Sequence, residues 1–207
     1  MTVHVGQPTG GRAQLRVAYG RMYAQSTALV GLGSLGGARV WVTGASSGIG
    51  EALVEPLLRA GARVALTARR AERLEAIATV HRVSGHEVLV APADVTDRAA
   101  VRAAVEQMER AWGGVDLAVF SAGTYTPVDG TTLDADDFRD AISVNYLGVV
   151  YGLEAVLPGM LRRGAGRVAA VSSLAGELPL PRSAAYGSSK AALTYLLRAL
   201  RFDLRPR

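Results

Sequence analysis

The sequence predicts an α/β fold, a doubly wound parallel sheet with helices on both faces. Two observations carry this. Short apolar runs alternate with amphipathic stretches from Ala38 onward, and the first run leads straight into a glycine-rich turn and a helix. A strand that is apolar at successive residues is buried on both faces, as parallel strands are. Joining each to the next through a helix gives right-handed crossovers.

The elements follow in order. Val40-Trp41-Val42 is the first strand, and the helix after its turn spans about 49–59. A second strand covers 63–67, and 71–83 is helical with Leu74, Ile77 and Ala78 on one face. The third strand lies near 87–90. Thr96 or Asp97 then caps a helix running to Trp112, because their side-chain oxygens accept the first free backbone N–H groups. A fourth strand at 116–120, a long helix at 136–163, a fifth strand at 167–171 and a last helix at 184–204 complete the pattern. Residues 1–37 show no sustained period and read as a flexible extension to a single domain over 38–207.

Composition narrows the function classes. The chain has 207 residues, about half apolar, and no Cys, so disulfides and thiolate metal sites are excluded. His4, His81 and His86 have no ligand-like spacing, so no metal is expected. No apolar run in the sequence reads as a membrane span, and 28–37 is too short and glycine-rich for a signal-peptide core. A cytoplasmic protein without membrane contact is the expectation. The net charge of +5 suggests nucleic acid, but Arg12, Arg16, Arg21 and Arg39 precede the first carboxylate, Glu51, and the rest of the chain is almost neutral. With no basic cluster on the folded body, no nucleic-acid partner is expected.

The first strand ends in Thr43-Gly44-Ala45-Ser46-Ser47-Gly48-Ile49-Gly50. Glycines here let the backbone turn tightly and approach a pyrophosphate, which sits on the free N–H groups of a helix N-terminus. This makes the sheet Rossmann-like. The same residues satisfy Gly-x-Ser-x-Gly, the nucleophile elbow of hydrolases. That chemistry needs a histidine base late in the chain, and none follows His86. The second strand ends Leu66-Thr67-Ala68-Arg69-Arg70. An acid is expected hereabouts for a ribose 2′-hydroxyl. Ala68 has no charge and Arg69 suits a 2′-phosphate, which favours NADP, with NAD the alternative. Both arginines also fit a solvated helix start.

Tyr186-Gly187-Ser188-Ser189-Lys190 opens the last helix, and positions i and i+4 share a face. A free phenol titrates near ~10, and a neighbouring cation favours its ionised form. Upstream, Ser172-Ser173 follow the fifth strand, at the end where open α/β sheets bind ligands. Of 23 basic residues one is Lys, and Asn likewise occurs once, at 145.

Taken together, Thr43 to Gly50, Asp94-Val95, Ser121-Ala122-Gly123, Asn145, Ser173 and Tyr186-x-x-x-Lys190 resemble the short-chain dehydrogenase/reductase family in order and spacing over 38–207. The resemblance implies an NAD(P)-dependent oxidoreductase that moves a hydride between nicotinamide and a small carbonyl or alcohol substrate. It makes Tyr186 the acid/base, Ser173 a hydrogen-bond donor to the reacting oxygen, Lys190 the holder of the nicotinamide ribose, and Asn145 the support of a water relay. It places the cofactor on Thr43, Gly44, Ser46, Ser47, Gly48, Ile49, Gly50, Arg69, Asp94, Val95, Ala122, Gly123, Tyr186 and Lys190. It also implies a homodimer or homotetramer formed through the two long helices.

Two departures stand out. Phe120 and Ser121 occupy positions where the family usually has two asparagines. The family fold also continues beyond the last helix, so the sequence reads as C-terminally truncated, with about five strands present and the fifth left as an exposed edge. A non-catalytic dinucleotide-binding or interaction protein is the alternative class.

Overall fold

The computed structural model describes residues 2–5, 15–18 and 35–204. Strands β1 (Thr2–Val5) and β2 (Leu15–Ala18) precede β3 (Arg39–Thr43) and the short helices α1 (Gly48–Ala52) and α2 (Val54–Arg59). Next come β4 (Arg63–Thr67), α3 (Ala71–Val83), β5 (Val88–Val90), α4 (Arg98–Trp112) and β6 (Leu117–Phe120). Helix α5 (Ala135–Ile142) runs through a π turn (Ser143–Leu147) into α6 (Gly148–Arg163), followed by β7 (Gly166–Ala170), a 3-10 turn (Leu174–Gly176) and α7 (Ala184–Asp203).

Sheet order is β2-β1-β7-β6-β3-β4-β5, with β7 through β5 all parallel. This is the doubly wound Rossmann-like sheet expected. After β5 the chain crosses back over β3 to enter β6, so the order reverses between β3 and β6. Ligands of such sheets bind in the crevice at that reversal, outside the carboxyl ends of the strands.

Alternation along the strands divides the interior in two. Val40, Val42, Val64 and Leu66 face α1–α3. Trp41, Ala65, Phe120 and Val168 face α4, α6 and α7. Trp41 donates its indole N–H to Thr67 Oγ1 at 2.8 Å, and that hydroxyl donates to the Ala91 carbonyl at 2.8 Å, so a buried polar chain crosses three strands. At the opposite end of the strands Arg39 forks onto Asp116, Nε to Oδ2 at 2.8 Å and Nη2 to Oδ1 at 2.5 Å.

Four sequence-based expectations differ from the structure. The helix expected over 49–59 breaks at Leu53. Pro56 has no N–H to donate one turn back, which uncouples α1 from α2. The long helix is interrupted by the π turn. Its whole run, Ala135–Arg163, does have the length and hydropathy of a membrane span, contrary to the sequence reading. Val149, Leu153, Val156 and Met160 bury it in the core, so it is an internal helix of this fold. Finally, β7 is not an open edge. Residues 2–5, assigned to a flexible extension, pair antiparallel with it from Thr2–Ala169 to Val5–Gly166, and 15–18 pair in turn with 2–5. An open edge presents unpaired N–H and C=O groups, and β1 supplies their partners. The rest of that extension before Leu35, and residues 205–207, lie outside the described residues.

Phe120 fills its site edge-on to Trp41, with centroids 5.6 Å apart and planes at 82°. Gly152 on α6 leaves the room: a Cβ there would stand 2.2 Å from Phe120 Cε1. Gly152→Ala should therefore overpack the core and destabilise the fold by about 1–3 kcal/mol. Urea unfolding of the two proteins measures this, and an unchanged midpoint would show that the ring moves aside freely.

Candidate active site

The turn after β3 is built for close approach. Gly44 has φ +67°, and a Cβ on it would lie 2.7 Å from the Ala122 backbone; one on Gly50 would lie 2.3 Å from the Gly44 carbonyl oxygen. No larger residue fits either place. Ser47 gives α1 no side-chain cap, which leaves the amide donors of its first turn for an anionic ligand.

A cleft of about 630 Å³ opens over this turn, bounded by Gly44 and Ser46 to Ile49, by Ala68 to Arg70, by Ala93 to Thr96 and by Ser121 to Thr124, with Asp140 and Val144 at its side. Ten of the expected cofactor residues line it: Gly44, Ser46, Ser47, Gly48, Ile49, Arg69, Asp94, Val95, Ala122 and Gly123. Thr43 and Gly50 do not. Thr43 is buried, and its hydroxyl accepts from the Ser121 and Ala122 amides at 3.2 and 3.3 Å, tying the ends of β3 and β6 together. The donor set and the backbone cradle fit a dinucleotide.

Arg70 was missed as a site residue by sequence reasoning. Its Nη2 donates to the Ser46 carbonyl at 3.1 Å and to Ser46 Oγ at 3.0 Å, closing the strand end over the phosphate turn. Arg69 lines the cleft with no hydrogen bond or ion pair to any described residue. Only its place beside a residue without charge, Ala68, marks it in the sequence. Asp94 Oδ1 accepts from the Thr96 amide and hydroxyl at 2.9 and 2.8 Å, whereas the helix cap is Asp97. The hydrolase alternative fails in space as well. Ser46 faces Arg70, while His81 and His86 pack on each other at 6.3 Å, at the far end of α3 and ahead of β5.

Three of the expected catalytic residues, Asn145, Tyr186 and Lys190, meet beside the cleft, outside its lining, and Ser173 lies two residues past the Val171 carbonyl that Lys190 holds. The π turn delivers Asn145 to a fully buried position; such turns occur often at functional sites. Asn145 Oδ1 accepts from the Thr124 amide at 2.8 Å, and Nδ2 donates to the Thr124 carbonyl at 2.9 Å and to Ser189 Oγ at 3.0 Å. Ser189 Oγ donates to the Tyr186 carbonyl at 2.7 Å. Both amide protons of Asn145 are thus spent holding the segment after β6 against α7. A Cβ on Gly123 would lie 3.2 Å from Asn145 Oδ1 and 3.7 Å from Lys190 Nζ, which shows how tightly the three meet.

Lys190 is 4% exposed and donates to the Val171 carbonyl at 2.8 Å, with Nζ 5.7 Å from the centre of the Tyr186 ring. An ammonium has three donors, so two remain for a ligand. Ser173 Oγ accepts from the Ala175 amide at 3.2 Å and keeps its own proton to donate. Tyr125, also missed from sequence, meets Tyr186 edge to face at 5.2 Å.

The profile of short chain dehydrogenases matches residues 38–207. The chain belongs to the short-chain dehydrogenase family. It is 40% identical over 173 residues to a glycine betaine reductase of Emericella nidulans, and 38% identical over 162 residues to an uncharacterized oxidoreductase of Listeria innocua. These matches cover 83% and 78% of this chain, and the chain spans 14% and 65% of those relatives. A short-chain dehydrogenase/reductase from Burkholderia phymatum, solved with NAD, superposes with a TM-score of 0.79 at 29% identity, covering 82% of this chain and 61% of that one.

Burial pushes the Lys190 ammonium down to about 8 from the usual 10.5. The folded state sheds this proton near pH 8, whereas the unfolded chain keeps it to about 10.5. Unfolding in that window takes up a proton, so stability rises with pH across it and the contribution is lost as pH falls through 8. Lys190→Met should therefore be more stable than the native chain at pH 7, by about 1–3 kcal/mol, with the gap closing toward pH 10. Urea melts across that range test this, and a gap independent of pH would contradict it.

Proposed function

We propose that this short-chain dehydrogenase family member is a nicotinamide-dependent oxidoreductase acting on a small carbonyl or alcohol compound. The observation that carries this is the gathering of Tyr186, Lys190 and Asn145 beside a cleft shaped for a dinucleotide, with Ser173 two residues beyond the Val171 carbonyl that Lys190 holds. Residues 38–207 form the catalytic unit in this reading.

A nicotinamide dinucleotide held in this cleft would supply or accept the hydride. The Tyr186 phenol gives its proton to the carbonyl oxygen in reduction and takes it back in oxidation. Ser173 donates its hydroxyl proton to the same oxygen and orients it. Lys190 offers its two remaining donors to ribose hydroxyls. Asn145 is a positioning residue. Its amide fixes Thr124 and, through Ser189, the first turn of α7 that carries Tyr186.

NADP is the preferred cofactor in this reading. Ala68 supplies no carboxylate, Arg69 stands unengaged in the cleft, and Arg70 adds positive charge beside Ser46. A cytoplasmic setting is in keeping with a chain that has no cysteine. Assembly through α5–α6 and α7 into a homodimer or homotetramer is supported by exposed Leu161, Tyr195 and Phe202 on those helices.

Tyr186→Phe should slow carbonyl reduction roughly 10²–10⁴-fold and leave dinucleotide affinity intact. Steady-state kinetics with a separate binding titration measure both. Full activity would return the chain to a dinucleotide-binding scaffold. Arg69→Asp should shift the preference toward NAD; equal affinities for both dinucleotides before and after would contradict the 2′-phosphate assignment.

A further inference from the structure

An aromatic wall stands beside the phenol, and neither proton transfer nor dinucleotide binding uses it. Tyr125 lies two residues beyond Gly123, with its ring centre 5.2 Å from that of Tyr186 and the planes crossing at 76°. This edge-to-face arrangement is favoured between aromatic rings. Tyr125 nevertheless stays 52% exposed, so the contact uses only part of its ring.

Its place is fixed from both sides. The preceding residue, Thr124, is bracketed through its amide and carbonyl by Asn145. Three residues later the Val128 amide donates to the Arg182 carbonyl at 3.0 Å, and Val128 is buried with Ala141 and Ala185. The segment is therefore fastened at each end, to the π turn and to the start of α7.

The stretch after Ser173 carries exposed leucines. Leu174 follows Ser173 directly and is 63% exposed, and Leu178 and Leu180, on the stretch leading to α7, are exposed too. The carboxylate of that stretch, Glu177, is engaged with Arg198 at 3.1 Å. A substrate oxygen held by Tyr186 and Ser173 must project the groups on its carbon past the neighbours of those two residues. For Tyr186 that neighbour is the Tyr125 ring.

We infer that Tyr125 is a specificity-determining wall of the substrate site, selecting carbonyl or secondary alcohol compounds with a flat apolar group on the reacting carbon, of which aryl ketones are the minimal class. This rests on Tyr186 and Ser173 receiving the reacting oxygen. Stacking selects for a planar face, whereas a compound with only methyl groups gains little from the wall.

The test uses the full chain with saturating NADP⁺, titrated with acetophenone, acetone and pyruvate by ligand-observed NMR. Acetophenone is expected to bind tightest. Tyr125→Ala should weaken acetophenone roughly 3- to 10-fold while leaving acetone and NADP⁺ affinity unchanged, and Tyr125→Phe should restore it. Absence of acetophenone binding, equal loss for acetone, tighter binding of pyruvate, or no loss in Tyr125→Ala would each overturn the wall. Acetophenone bound through Tyr125 but never reduced by NADPH would instead overturn the acid–base assignment and leave the wall standing. Should the dinucleotide fail to bind, the same titration of the free chain still decides the role of Tyr125.

Discussion

One primary amide, enclosed in the interior at a π turn, holds together the corner that carries Tyr186 and Lys190. Asn145 makes three hydrogen bonds, two to Thr124 and one to Ser189, and through them joins the segment after β6 to the first turn of α7. Burying an amide without partners is costly, so each of these bonds is enforced by the desolvation the others have already incurred. Remove the amide and nothing else among the described residues ties Thr124 to Ser189. Tyr186 and Lys190 ride on the turn so fixed, and Tyr125 on the segment so fixed. The positions of Tyr186, Lys190 and Tyr125 thus all lean on this amide, with the Val128–Arg182 and Lys190–Val171 bonds as further ties.

The dinucleotide cleft depends on a second set of contacts, at the ends of β3 and β6. Gly44 and Ala122 touch backbone to backbone, and the Thr43 hydroxyl caps the meeting of the two strands. Asparagines usual in the family at 120 and 121 are absent, and apolar packing takes their place. Phe120 wedges against Trp41 and into the space left by Gly152. The strands are held by a filled core instead of side-chain amides at that level. A packed core resists a small shift of a strand because every displacement opens a gap or forces a clash.

Much of this was legible in the sequence. Strands β3, β4 and β6 are continuous apolar runs because both faces are buried, and α3 could be placed over 71–83 from the periodicity of Leu74, Ile77 and Ala78. The glycine turn and the Tyr186–Lys190 pair were readable because each needs particular residues at fixed spacing. Other features were not. A π turn adds one residue to a helical ring without demanding any residue type, so Asn145 could be named but not its geometry. Arg70 and Tyr125 matter through contacts with Ser46 and Tyr186, 24 and 61 positions away, and no local pattern encodes such pairs. Strand β1 alternates Thr-Val-His-Val, too short a pattern to stand apart from its surroundings, and its partners β7 and β2 appear only in the folded sheet.

Because Lys190 is the chain's one lysine, its titration can be followed as a single resonance in protein labelled only at lysine. That titration tests most directly whether the Asn145 amide holds the corner closed. In the native chain Lys190 should titrate at about 8, reflecting its burial. In Asn145→Ala the start of α7 should loosen, admit water to the ammonium, and move the midpoint up toward 10.5 while the fold persists. An identical midpoint in both proteins would contradict the account, showing that Lys190 and its neighbour Tyr186 are held in place without Asn145.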